Sequence, residues 1–123
     1  MHYLGETEQG EGITFEVCGD RINAVQTLVR VLCIEFGGSH RTEFEVQPFF
    51  PPSPFQIEGD GHFSATQEIE GTTYTLSGKL QGSEASGTLG LSYSKLTFDP
   101  LTNTSSQFGC SADVEWNATT SEA

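Results

Sequence analysis

The sequence predicts a single all-β domain over residues 1–123, an antiparallel meander of 8–9 strands forming a β-sandwich or a flattened up-and-down barrel. Three observations predict it. The segment Cys110 to Ala118 alternates strictly, with Cys110, Ala112, Val114, Trp116 and Ala118 on one parity and Ser111, Asp113, Glu115 and Asn117 on the other. Successive strand side chains point to opposite faces, so this segment has one dry and one wet side. Glycine-rich dipeptides punctuate the chain at hairpin spacing, and the longer connections number only two.

The strands are expected near 3–8, 12–18, 22–36, 42–48, 55–58, 62–69, 73–81, 87–98 and 109–118. In the second, Ile13, Phe15 and Val17 alternate with Thr14 and Glu16. The third is apolar on both parities: Val25, Val29, Val31 and Cys33 on one, Leu28, Leu32, Ile34 and Phe36 on the other. Such a strand is covered on both faces, or a bulge switches its faces; the bulge is preferred, being common at the corners of sandwiches and barrels. In the fourth, Phe44 and Val46 alternate with Glu43, Glu45 and Gln47. Tyr74, Leu76, Gly78 and Leu80 repeat the pattern in the seventh. Gly19-Asp20, Gly37-Gly38, Gly59-Asp60-Gly61, Glu70-Gly71 and Gly82-Ser83 supply residues that tolerate the positive φ of tight turns. The longer connections are Pro48 to Pro54 and the stretch from Asp99 to Phe108.

Charge narrows the partners. Seventeen acidic residues against five basic ones give a net charge of −12, which repels phosphate backbones and anionic membrane surfaces. Nucleic acid is therefore excluded as a partner, and a divalent cation or a cationic partner is the positive alternative to plain solubility. No apolar run reaches the roughly 20 residues of a membrane span, so membrane insertion is not expected. The segment after Met1 carries no charged-then-apolar leader, so either no signal peptide existed or it has been removed.

The three cysteines have no Cys-x-x-Cys spacing, which argues against a zinc site. Cys18 and Cys33 are separated by a turn and roughly 35 Å of extended strand, too far for a bridge unless that strand bends sharply. Cys33 and Cys110 reach the same end of the fold if the proline segment bends within one continuous strand. If that segment reverses direction, they stand at opposite ends and no bridge forms. With the first alternative, the bridge crosses the core beside Trp116 and Cys18 is left at the other end. Three reduced cysteines in a cytosolic protein remain the alternative.

Candidate chemistry is sparse. Asp60 and His62 are close enough to share a proton, but a solvated turn accounts for them; His2 and His40 are the other histidines. No Gly-x-Ser-x-Gly elbow occurs, and catalytic residues are not expected. Asp20, Glu58, Asp60 and Asp99 sit at turns where carboxylates gather around calcium, yet the Asp-x-Asp-x-Asp-Gly loop is missing. No metal or other cofactor is expected. Phe49, Phe50 and Phe55 flank a run of prolines. They are candidates for an apolar lip that takes a ligand or partner, or else they plug one end of the fold. Asn103-Thr104-Ser105 and Asn117-Ala118-Thr119 match the N-glycosylation pattern, which matters only in a eukaryotic secretory protein.

The order of motifs also resembles a loosely defined set of small exported bacterial all-β domains of uncharacterised function. It runs Tyr3-Leu4-Gly5-Glu6-Thr7, Phe15-Glu16-Val17, Cys33, Gly61-His62-Phe63, Tyr74-Thr75-Leu76-Ser77-Gly78, Gly87-Thr88-Leu89, then Cys110 with Trp116-Asn117-Ala118. The resemblance covers nearly the whole chain, and its motifs are structural. It implies export and a Cys33–Cys110 bridge, and carries no activity; Cys18 departs from the pattern. The expectation is a secreted or cell-surface binding module, monomeric or weakly dimeric, whose partner is a protein, a glycan or a small hydrophobic ligand. The alternative is a small barrel enclosing a hydrophobic molecule, as carrier or shape-based enzyme.

Overall fold

The structure is a computed structural model that describes residues 1–36 and 41–121; the Gly37-Gly38 turn and His40 lie outside the described residues. Among the described residues nine strands follow in order: β1 His2–Thr7, β2 Gly12–Cys18, β3 Arg21–Glu35, β4 Thr42–Phe49, β5 Phe55–Gln56, β6 His62–Ile69, β7 Thr72–Gln81, β8 Glu84–Asp99 and β9 Thr104–Thr119. All pairings are antiparallel, in one sheet of order β4-β3-β2-β1-β9-β8-β7-β6. Two four-strand meanders, β1–β4 and β6–β9, are thus joined side by side through β1 and β9. Gly19, Gly61, Gly71 and Gly82 take positive φ at the tight turns.

The proline segment decides the topology. β4 and β5 both run antiparallel to β3, β4 beside Thr27–Ile34 and β5 beside Arg21–Ile22. They are one strand direction interrupted by residues 50–54, so the segment is a bend and not a reversal. Beyond β5, the Glu58 N–H donates to the His62 carbonyl at 2.7 Å, linking it to β6. The sheet therefore curls into a ring at this end. At the opposite end β1 and β2 have dropped out, and Leu32–Glu35 of β3 pairs directly with Phe108–Ser111 of β9.

That pairing makes the disulfide. Cys33 and Cys110 are register partners with a Cα–Cα distance of 4.0 Å, and their sulfurs are bonded. The bridge ties neighbouring strands and does not cross the core beside Trp116, as the sequence led one to expect. Cys18 is left free and exposed at the β2–β3 turn.

β3 carries the expected bulge. Thr14 pairs with Gln26 but Glu16 with Asn23, so β3 holds one extra residue there, and Ala24 takes φ 53°. Ile22 faces inward before the bulge; Val25, Val29, Val31 and Cys33 face inward after it. The bulge does not account for the second apolar parity, however. Leu28, Leu32, Ile34 and Phe36 remain outside and exposed.

The interior is filled by large side chains. The Trp116 indole meets Phe15 edge-on at 5.5 Å and stacks with Phe63 at 6.1 Å, while Tyr3 stacks on Phe15 at 4.9 Å. Phe63 reaches this position because Gly78 and Gly87 face each other beneath it. A Cβ on Gly78 would stand 2.9 Å from the Phe63 ring, and one on Gly87 would stand 1.9 Å from the Ser77 carbonyl oxygen.

Candidate functional site

At the disulfide end four strands stand in a row, β4-β3-β9-β8. Directly opposed residues of an antiparallel pair share a face. One inward row is therefore Glu43, Cys33, Cys110 and Tyr93, and the next contains Glu35, Phe108 and Lys95. In a flat sheet β4 and β8 would be about 14 Å apart. Here they touch through their side chains. The Tyr93 hydroxyl donates to Glu45 Oε1, and Lys95 Nζ donates to Glu43 Oε1 and, at 2.7 Å, to Glu45 Oε2. The curl thus closes over the disulfide, and the Glu45 carboxylate comes within 4.8 Å of both bridged sulfurs.

A second ion pair completes the cluster. Arg41 Nη2 stands 3.1 Å from Glu35 Oε2, whose side chain is only 10% exposed. The Arg41 guanidinium also lies 5.5 Å from the Phe108 ring centroid, and Lys95 Nζ lies 5.2 Å from it. Cations over an aromatic face are held by the ring quadrupole as well as by their carboxylates.

The electrostatics follow from these contacts. The hydrogen bond from Lys95, then that from Tyr93, holds Glu45 below the usual carboxylate range. Burial, reinforced by Glu45, pushes Tyr93 up to about 12. The bonds to Glu43 and Glu45 raise Lys95. Glu45, Tyr93 and Lys95 are thus each held in their ordinary neutral-pH charge state, which suits recognition better than proton transfer.

Beyond the cluster, the β8–β9 hairpin projects past the rest of the sheet. A cleft of about 490 Å³ opens between it and the β3–β4 arm. Among the described residues, Glu35, Glu43 and Asp99 line it with Arg41 as the cationic member, over the buried Phe108 ring, and the exposed Phe98 borders it. No sequence motif announced this site. The partners that join β4 to β8 are 48 to 52 residues apart, and the local signals are the i, i+2 spacing of Glu43 with Glu45 and of Tyr93 with Lys95 and the i, i+6 pair Glu35 and Arg41.

The phenylalanines singled out in the sequence separate. Phe49 and Phe55 are buried, Phe49 edge-on to Tyr74 at 5.4 Å. Only Phe50 is on the surface, where it borders an apolar furrow of about 450 Å³ with Leu28 and Pro48. No lip of three rings is formed; two of them plug the interior. His62 Nδ1 and Asp60 Oδ2 are 2.9 Å apart, both well exposed, and the His62 backbone N–H bonds Asp60 as well. That backbone bond, followed by the ring contact, lowers Asp60.

Two of the turn acids have protein partners, Asp20 across to β5 and Asp99 within its own turn. Asp20 accepts from Gln56 Nε2 at 2.7 Å, and Asp99 accepts from the Leu101 N–H at 2.9 Å. Cys33, Cys110 and Glu45 form a close set of donor types, but the two sulfurs are joined to each other. Among the described residues, no helix is long and apolar enough to cross a membrane. Compared with known proteins, the chain matches no family model, no curated protein and no solved structure.

Proposed function

We propose that the protein is an exported or cell-surface recognition module whose cleft at the disulfide end takes the cationic side chains of a protein partner. The cleft itself carries this reading: among the described residues three carboxylates line it beside the Phe108 ring, Glu35 paired with Arg41, Glu43 with Lys95 and Asp99 with neither, on strands tied by a buried disulfide. A net charge of −12 steers cations toward such a surface. The disulfide fits an oxidising compartment. The filled interior around Trp116 supports surface recognition over enclosure of a ligand.

The test is binding of a fluorescent lysine- and arginine-rich peptide. The expected result is saturable binding that weakens with salt and falls several-fold in Glu43→Gln/Asp99→Asn. The charge-matched control Glu6→Gln/Glu68→Gln, on distant strands, should retain it. Equal loss in both variants would reduce the effect to net charge and sink the assignment. The rival, a small hydrophobic ligand, has its best place in the furrow beside Phe50. It predicts binding of an apolar dye that Phe50→Ser abolishes.

A further inference from the structure

The outward face of the same four strands is different in kind. One outward row is Phe44, Leu32, Ser111 and Ser92; the next is Thr42, Ile34, Gly109 and Ser94. Phe36 lies across Gly109, where a Cβ would stand 2.6 Å from its ring. The absence of a side chain at that position lets the Phe36 ring settle on the sheet. Phe44 is 69% exposed, Phe36 60% and Ile34 44%. The chain carries 17 acidic residues, yet neither row holds a charged group. Outward acids stand elsewhere, as with Glu6 on β1 and Glu115 on β9.

We infer that this uncharged panel docks a second copy of the chain, face to face, about a two-fold axis. Two bodies of net charge −12 repel each other, and contact is least unfavourable where neither presents a carboxylate. A two-fold interface must also be complementary to itself. The panel meets this condition: the residues of its rows are neutral, and the next level carries one charge of each sign, Asp113 on β9 and Arg30 on β3, whose guanidinium lies 6.0 Å from the Phe44 ring centroid. A basic partner would find no carboxylate to pair with here and would gain more from the acidic cleft on the inner side.

The size sets the strength. Four strands about 19 Å wide, continued past Arg30 to Leu28 and Val46, present on the order of 600 Å² along a convex face, of which two copies can bury only a part. A standard interface buries about 800 Å² per partner, so this dimer belongs at the weak, concentration-dependent end.

Long-range repulsion gives the dimer a distinctive salt response. Salt screens the repulsion between like-charged copies and leaves apolar contact intact, so association should strengthen with salt, opposite to the cleft's cationic partner. The experiment is sedimentation velocity of the Cys18→Ser protein from about 5 to 500 μM, at low salt and near 0.5 M sodium chloride. A reversible monomer–dimer equilibrium favoured by salt is expected, with Ile34→Glu and Phe44→Glu each raising the dissociation constant about tenfold or more. Leu4→Glu, which adds the same charge to an exposed apolar site on β1, should leave it within about twofold. These positions are exposed, so circular dichroism should show each variant folded. A protein that stays monomeric throughout at high salt overturns the proposal. So does a dimer indifferent to both panel substitutions, which would place the contact on the free β4 edge or on the hairpin arm.

Discussion

Cys33 and Cys110 are bonded register partners at the level where β3 has passed the ends of β1 and β2 and reaches β9 directly. The bridge therefore locks the one stretch in which the two meanders meet without the β1–β2 hairpin between them. It closes a sequence separation of 77 residues.

Loss of this bridge should be costly. The chain-entropy model assigns about 4–5 kcal/mol to a loop of this length, and the Cys33→Ala/Cys110→Ala variant should lose stability of that order in urea unfolding. Alkylation followed by intact mass should show one adduct, on Cys18, in the native protein and three after reduction and unfolding. Three adducts without reductant would overturn the bridge.

The Glu45, Tyr93 and Lys95 contacts give the stability a defined pH profile. Burial and Glu45 push Tyr93 up to about 12 from an ordinary 10.0, so the folded state keeps its proton longer. That contribution is complete below pH 10 and lost as pH rises through 12. For a partly exposed side chain it amounts to on the order of 1–2 kcal/mol. Lys95, also raised, loses its contribution in the same alkaline direction. Glu45 is lowered, so its contribution is present above the ordinary value of 4.5 and is lost as pH falls through the folded value. The melting temperature should be flat with respect to these groups between about pH 5 and 10 and fall on both sides. In Glu45→Gln the ultraviolet phenolate titration of Tyr93 should move down only part of the way, because burial, the larger cause, persists. A Tyr93 titrating near 10 in the parent protein would show that the curl over the disulfide is open.

Two glycines separate crowding from backbone strain. A Cβ on Gly87 would stand 2.6 Å from Gly78 Cα, so Gly87→Ala must part β7 from β8 beneath Phe63 and should cost about 3 kcal/mol or more. Gly10 sits at φ +81° with nothing near its absent Cβ, so Gly10→Ala should cost only about 1 kcal/mol, the left-handed penalty. Equal effects in thermal unfolding would contradict the close approach.

Strand positions were legible because a strand reports itself through period two, and β1 to β8 start within three residues of where alternation and turn glycines place them. β9 starts at Thr104 and not near 109, because the stretch expected as a long connection from Asp99 to Phe108 is mostly strand paired with β8. The disulfide was conditionally legible: parity put Cys33 and Cys110 at one end only if residues 50–54 bend, which the pairing of β4 and β5 with the same strand shows. Alternation gives two faces but not which one is covered. Leu28, Leu32 and Ile34 on β3, and Phe44 and Val46 on β4, look like core by composition and lie outside, because apolar residues are allowed on surfaces and paired carboxylates such as Glu35 are allowed inside. The cluster around Phe108 was invisible for another reason. Glu45 and Tyr93 are 48 residues apart and meet only through the curl of the sheet, which no local pattern encodes.

Ala24 offers the sharpest test of that curl. It is the extra residue of the β3 bulge, at φ 53°, and it separates inward Ile22 from inward Val25 by three positions where an unbroken strand allows two. Ala24→Gly relieves a left-handed alanine but frees the unfolded chain, and these effects nearly cancel, so stability should change by less than about 1 kcal/mol. Deleting Ala24 is different. Without the extra residue Val25 follows Ile22 by two positions, so β3 alternates without interruption and Val29, Val31 and Cys33 stay inward. Cys33 still meets Cys110, and what is lost is the local twist that the bulge adds. The deletion variant should show one alkylatable thiol, as the parent does, and should still melt cooperatively. Three reactive thiols in the deletion variant would mean that β3 does not hold its register without the bulge.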